Sequence, residues 1–199
     1  MTKTRIYLVR HGQVEGYEDK RYNGQADVHL TSEGVAQFKL LCLRLAKKPI
    51  RTVYSSDLSR CLDGAWMIGR PHGLEPLPLP DLRELSIGEW EGKTWRELQG
   101  RYPEEWQARL DDIVHYRTPG GESLMDLAAR VLPAVSGIVH AHPGEDLVVV
   151  GHGGVNRVIL LDAIGAPLER MFNIEQNYGC LNIIDYFADG NTTVQLLNG

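Results

Sequence analysis

Ile6-Tyr7-Leu8-Val9-Arg10-His11-Gly12 decides the fold, and Leu147-Val148-Val149-Val150-Gly151-His152-Gly153-Gly154 echoes it near the other end of the chain. Each is a short apolar run followed by a histidine and then glycine. An unbroken apolar run of this length, bounded by glycine, reads as a strand buried on both faces. Such strands belong to mostly parallel sheets, and ligands collect at their carboxyl ends. Side by side and pointing the same way, the two runs bring His11 and His152 to one crevice. Alone, either histidine is an ordinary loop or core residue; the paired placement makes them a candidate site.

The remaining segments alternate around these two. Residues 5–9 form the first strand, and residues 12–30, aperiodic and holding Gly12, Gly16, Asn23 and Gly24, form a long loop over its end. Thr31 caps a helix with Glu33 in its first turn, running to about Lys48 before Pro49. Residues 52–55 are a second strand. Ser56 or Asp57 then caps a helix stopped by Gly69 and Pro71, which places Arg60 in its first turn, where a helix favours anions. Prolines 76, 78 and 80 confine a third strand, 75–80, to a sheet edge. From Asp81 to Glu122 the texture changes to charges, short helical patterns and the aromatics Trp90, Trp95, Tyr102, Trp106 and Tyr116. This reads as an inserted lid, its aromatics a small local core or, more sharply, a stacking surface for a planar ligand. After Gly120-Gly121, Ser123 and Asp126 form a capping box for a helix to about His140, with Pro133 inside it. The strand 147–150 follows, then a helix to about Ile164 closed by Gly165 and Pro167. Strands 180–187 and 192–197 finish the chain, joined by an Asp189-Gly190 turn. Alternating strands and helices make this an α/β protein with a central sheet. A length of 199 residues fits one domain, 1–199.

The composition is that of a globular protein, 43% hydrophobic and 24% charged. A net charge of −5 argues against nucleic-acid and anionic-membrane partners, which do not attract an acidic surface. Three scattered cysteines, Cys42, Cys61 and Cys180, fit reduced thiols in the cytosol rather than a disulfide framework. The amino terminus is too short in apolar residues for a signal peptide, and no run approaches a membrane span. The expected location is cytoplasmic.

Several chemistries are set aside on residue grounds. Gly151-x-Gly153-x-x-Asn156 only half matches a dinucleotide fingerprint, and no phosphate-cradling P-loop is present. A metal held by His11, His152 and a carboxylate would sit against Arg10 and Arg60, whose charge repels a cation. An anion pocket fits better. Arg10 and Arg60 can grip phosphate oxygens through forked, charged hydrogen bonds. Their charge also disfavours protonated imidazole, leaving His11 neutral and able to attack phosphorus. His152 and the two arginines would stabilise charge on the equatorial oxygens of the transferring group. The leaving oxygen needs an acid. Glu84, Glu89 and Glu91 are candidates that spacing does not separate.

Leu8-Val9-Arg10-His11-Gly12-Gln13 resembles the signature of the histidine phosphatase superfamily, the phosphoglycerate mutase-like enzymes. Further motifs follow in the family's order. They are Tyr22-Asn23-Gly24 with Asp27 and Leu30-Thr31, then Ser55-Ser56-Asp57-Leu58-Ser59-Arg60, then Leu82-Arg83-Glu84-Leu85 with Gly88 and Trp90-Glu91-Gly92. Gly121-Glu122-Ser123 with Arg130, and Val150-Gly151-His152-Gly153-Gly154, complete the set. The resemblance implies a three-layer α/β/α sandwich with a mostly parallel sheet and a small lid, roughly 81–122. It implies that His11 is phosphorylated, that Arg10, Arg60 and His152 form the phosphate pocket with Asn23, Gly24 and Gly153 beside it, and that Glu84 donates the proton. No cofactor and no metal are implied. The sequence departs from the family at Val14, where threonine or serine is usual, and at Cys61, Asp63 and Gly64 after Arg60, changes that bear on the pocket wall. Length and second histidine motif are similar to the phosphatase branch, α-ribazole phosphatases among them, which points to hydrolysis of a small-molecule phosphate monoester such as α-ribazole 5′-phosphate in cobalamin biosynthesis. A phosphoglycerate mutase-type isomerase and a phospho-ligand-binding protein without turnover are the alternatives. A homodimer is left open.

Overall fold

The computed structural model describes residues 2–199. In chain order it contains β1 (Lys3–Arg10), α1 (Ser32–Leu45), β2 (Ile50–Ser55), α2 (Ser59–Gly69), β3 (Leu77–Pro78), α3 (Trp95–Arg101), α4 (Pro103–Asp111), α5 (Leu124–Ala141), β4 (Asp146–Gly151), α6 (Gly153–Ala163), β5 (Leu181–Phe187) and β6 (Thr192–Leu196). They build one six-stranded sheet in the order β3-β2-β4-β1-β5-β6. The first four of these run parallel, and β5 and β6 form an antiparallel hairpin on the β1 side. The sheet is therefore mixed, and the proline-bearing β3 lies at its edge as expected.

The apolar runs separate into two faces by residue parity, as a strand requires. Ile6, Leu8 and Val149 pack with α5 and α6 through Leu127, Val131, Val158 and Ile159. Tyr7, Val9, Val148 and Val150 pack on the other side with Phe38, Leu41 and Leu45 of α1 and Ala65 and Ile68 of α2. Both faces are covered, so the fold is the three-layer sandwich. Residues 81–122 add no strand; they gather round Ile87, Trp90 and Leu98, with Tyr22, Tyr102, Trp106 and Tyr116 against them.

Local chemistry explains most boundaries. Ser123 and Asp126 cap α5 reciprocally, and Thr94 with Glu97 does the same for α3. Thr31 Oγ1 accepts from Gly34 N to start α1. That helix ends at Leu45 rather than near Lys48: Leu45 O accepts from Lys48 N at 2.9 Å in a tighter turn, and Pro49 has no N–H with which to continue the ladder. The start of α2 also differs from the expectation. Its N-cap is Leu58, and neither Ser56 nor Asp57 caps it. The Ser59 amide instead donates to Asp27 Oδ1 at 2.9 Å, from the long loop. By length and mean hydropathy α5 does reach the range of a membrane span, contrary to expectation. Here it lays a stripe of Leu124, Leu127, Val131, Val135 and Ile138 on the core.

One contact sets the approach of α1 to the site. A Cβ on Gly34 would lie 2.2 Å from Gln13 O, and one on Gly12 would lie 2.4 Å from Gly34 O. Two glycines thus let the chain after β1 touch the first turn of α1. Gly137 in α5 has open space around it. Gly34→Ala is expected to destabilise the protein by about 1–3 kcal/mol, whereas Gly137→Ala should stabilise it by about 0.5–1 kcal/mol. Urea unfolding of the two variants beside the parent checks both signs.

Candidate active site

β1 and β4 are adjacent and parallel, with Arg10 opposite Gly151. The next residue on each strand is a histidine, and the two rings meet edge-on with centroids 5.2 Å apart. His11 is 5% exposed and His152 fully buried. His11 Nδ1 lies 2.8 Å from Gly12 O. A carbonyl can only accept, so Nδ1 carries the proton and Nε2 keeps its lone pair. Arg60 Nε donates to His152 Nδ1 at 3.3 Å, and a guanidinium has no acceptor. His152 is therefore neutral at Nδ1, and its Nε2–H donates to Ser56 Oγ at 2.8 Å. Burial first, then the charges of Arg10 and Arg60, hold the His11 imidazolium well below the usual histidine range. Burial, Arg60 and the neighbouring imidazole do the same for His152.

The His11 ring sits at the floor of a cavity of about 490 Å³. Arg10, His11, Asn23, Gly24, Arg60, Glu84 and Gly153 all line it. His152 stands one layer behind the wall, where both ring nitrogens are engaged by Arg60 and Ser56. Glu84 lines the cavity and Glu89 and Glu91 do not. Glu91 is turned instead to the Gln25 amide. The Glu84 carboxylate accepts from Leu85 N at 2.9 Å and from Gly154 N at 3.0 Å. A Cβ on Gly154 would lie 2.5 Å from Glu84 Oε1, so glycine there admits the carboxylate.

Five arginines line the cavity; the exposed Arg21 pairs with Asp19 at 3.2 Å, whereas Arg10, Arg60, Arg109 and Arg157 have no carboxylate partner among the described residues. Arg60 donates to the carbonyls of Gly24 and Ala26, at 2.7 Å each. Arg157 donates to Ile174 O at 2.8 Å. Arg10 donates to Gln176 O and lies over the Tyr178 ring at 4.0 Å. Its Nε is buried without any partner. A buried, unsatisfied, charged donor is costly unless a ligand completes it. The protein is acidic overall, yet this cavity is cationic, an arrangement suited to receive an anion beside an imidazole with a free lone pair.

The segment carrying Glu84 is held from three sides. Arg130 donates to both carboxylate oxygens of Glu122 and to the carbonyls of Asp81, Arg83 and Glu84. Arg83 pairs with Asp57 through two bonds of 2.7 and 2.6 Å. Glu122 accepts from Ser86 N at 2.9 Å. The residues that depart from the resemblance also have places. Val14 is buried and bridged to Leu30, away from the cavity. The Cys61 thiol donates to Gly151 O and lies 3.4 Å from His152 Nε2, and burial keeps it protonated. Gly64 makes room for the Phe38 ring, and Asp63 is exposed.

Sequence reasoning missed Ser56, Arg109, Arg157 and Tyr178. Arg157 carried a signal, since it follows Gly153 by one helical turn. Ser56 lay inside a motif but was read as a cap. Tyr178 and Arg109 come from a loop and a helix whose docking no local pattern announces.

A neutral imidazole with a free lone pair in a cationic cavity, set at the carboxyl ends of parallel strands, is an arrangement suited to phosphoryl transfer. The model of the histidine phosphatase superfamily (branch 1) matches residues 6–199, and the chain belongs to that family. It is 33% identical over 198 residues to a bifunctional protein of Mycobacterium tuberculosis, covering 99% of this chain and 54% of that one. The chain thus spans about half the length of that relative. It is 38% identical over 195 residues to a metal-independent phosphoserine phosphatase of Arabidopsis thaliana, covering 94% of this chain and 82% of the relative. The crystal structure of a putative alpha-ribazole-5′-P phosphatase from Escherichia coli superposes with a TM-score of 0.91 at 28% identity, covering 98% of this chain and 96% of that chain.

Two outcomes follow from the geometry. Arg130→Met should lower kcat toward an aryl phosphate by about 10- to 100-fold, by loosening Glu84, with a smaller change in KM; steady-state kinetics on the folded variant checks this. His11 and His152 should remain neutral at pH 6, where a free imidazole is mostly protonated, as read by ¹⁵N shifts. Because their folded pKa values are depressed, the unfolded chain binds more protons below pH about 6.5. Stability is then full above that pH and lost as pH falls toward the folded values. His11→Ala should flatten the fall in thermal midpoint across that range.

Proposed function

We propose that this protein is a phosphatase that hydrolyses a small-molecule phosphate monoester through a phosphohistidine on His11. The observation that carries the reading is the lone pair of His11 Nε2 at the floor of a cavity where four of the five arginines, all but Arg21, have no carboxylate to neutralise them. The phosphate supplies the missing negative charge, and the orphaned Arg10 Nε supplies a donor for it.

The residues divide the reaction as follows. Arg10 and Arg60 bind the phosphate oxygens and offset the charge that builds on them. His11 Nε2 forms a bond to phosphorus while the bond from phosphorus to the ester oxygen breaks. Glu84, in its acid form, gives its proton to that leaving oxygen. Water then attacks phosphorus, Glu84 takes a proton from it, and the N–P bond breaks to release inorganic phosphate. His152 keeps Arg60 oriented through Nδ1, and Ser56 fixes the tautomer that allows this. The Gly12 carbonyl does the same for His11 and stabilises the positive ring formed on phosphorylation. No step calls for a metal. Relatives named as phosphatases support hydrolysis over isomerisation. α-Ribazole 5′-phosphate belongs in the substrate panel, since Trp95 and Trp106 line the cavity and could stack a planar base. Three unpaired cysteines support a cytosolic setting.

His11→Ala should reduce turnover of an aryl phosphate by about a thousandfold or more with the far-ultraviolet dichroism unchanged. Acid-labile ³²P should appear on the parent chain after rapid quenching, with the label on His11. Near-parental turnover by the folded variant would end the reading.

A further inference from the structure

Arg109 is out of place for a surface helix. It lies in the last turn of α4, is only 8% exposed and lines the cavity. Its guanidinium carbon sits 5.6 Å from the Tyr22 ring centroid, and it makes no hydrogen bond or ion pair among the described residues. Glu105, one turn earlier on the same helix, forms no ion pair with it. Tyr22 is not its counterion either, because burial pushes that phenol's pKa up and keeps it protonated. A cation this far out of water is unfavourable without a partner, and an aromatic face compensates only part of the loss. The other arginine that leaves the solvent as far finds acceptors: Arg60 holds two carbonyls and an imidazole.

The position of Arg109 relative to the phosphate end is set by one short loop. Gly24 O accepts from Arg60, and Tyr22, two residues earlier, lies under Arg109. The same loop therefore links the phosphate grip to a second cationic point. Lys20, over the Trp95 ring at 5.6 Å, lines the cavity beside them. A volume of about 490 Å³ leaves space beyond a bound phosphate for the rest of a small molecule.

We propose that Arg109, assisted by Lys20, binds a second anionic group on the substrate, a carboxylate or a second phosphate. The assignment rests on the phosphatase reading and narrows it to phosphate monoesters that carry another negative charge. Charge-assisted hydrogen bonds to Arg109 would favour such esters by about tenfold or more over matched neutral ones.

The test uses the full chain and inorganic phosphate release from four kinds of ester. A phosphoglycerate supplies the carboxylate, a hexose bisphosphate the second phosphate, and glycerol phosphate and α-ribazole 5′-phosphate carry no second anion. The parent enzyme should give kcat/KM at least about tenfold higher for one anion-bearing arm than for glycerol phosphate, and the winning arm names the group. Arg109→Met should collapse that ratio, mainly through KM, and Arg109→Lys should restore part of it. Equal kcat/KM across the arms in the parent, a preference for α-ribazole 5′-phosphate, or an undiminished ratio in folded Arg109→Met would each overturn the assignment. If Arg109→Met does not fold, the ratios of the parent and Arg109→Lys decide alone. Release from an aryl phosphate without discrimination sinks only the role of Arg109, whereas no release from any ester sinks the phosphatase reading with it.

Discussion

Uncompensated positive charge around two buried imidazoles is the constraint on which this structure turns. Outside the cavity, arginines find carboxylates: Arg5 pairs with Asp185, Arg83 with Asp57, Arg117 with Asp126 and Arg130 with Glu122. At the cavity only the exposed Arg21 does so, with Asp19, and the others end on carbonyls, an imidazole nitrogen or an aromatic face. Such acceptors fix a guanidinium in place without cancelling its charge. Burial first, and then the field that remains, keep both histidines neutral, which is the state a nucleophile and an arginine-orienting acceptor each require. One arrangement therefore prepares the site for an anion and prepares the ring that would react with it.

The rest of the fold supplies the closeness that this arrangement needs. Parallel pairing of β1 with β4 puts the histidines on neighbouring strand ends. Glycines let backbone and charged groups approach where any Cβ would intrude. Gly12 and Gly34 let the strand end touch α1, and Gly154 leaves room for the Glu84 carboxylate. Segments distant in sequence are then tied to the same place. Asp27 receives the Ser59 amide at the head of α2, just before Arg60. Asp57 holds Arg83 beside Glu84, and Arg130 fastens the Asp81 to Glu84 backbone to α5. The Asp57 and Arg130 bonds involve charged partners that are half-buried, where geometry rather than net stabilisation is their main contribution.

The aromatic segment between β3 and α5 divides its labour. Trp90 is buried and stacks with Trp106 at 6.1 Å, forming the small core expected of such a stretch. Trp95 and Trp106 also reach the cavity wall, and Trp95 is 41% exposed. A single cluster thus serves as support on one side and as a ligand-facing surface on the other. Its polar members, Arg109 above all, give that surface a sign of charge.

What the sequence determined by itself was whatever is written in short-range pattern. Unbroken apolar runs fixed the strands at Ile6–Val9 and Leu147–Val150, because a strand covered on both faces tolerates no polar position. Thr31 and the Ser123–Asp126 box marked helix starts, because capping is satisfied within a few residues. The motifs around His11, Arg60, Glu84 and His152 pointed to one pocket, and the structure sets His11, Arg60 and Glu84 on its wall with His152 behind them. Tertiary structure alone decided which partner each charged group would choose. Asp57 could cap a helix or hold Arg83, Ser56 could cap or meet His152, and Glu84 could not be told from Glu91 by spacing. Those choices compare local hydrogen bonds with contacts across tens of residues, and they are settled only when packing fixes which groups are brought together and which are cut off from water.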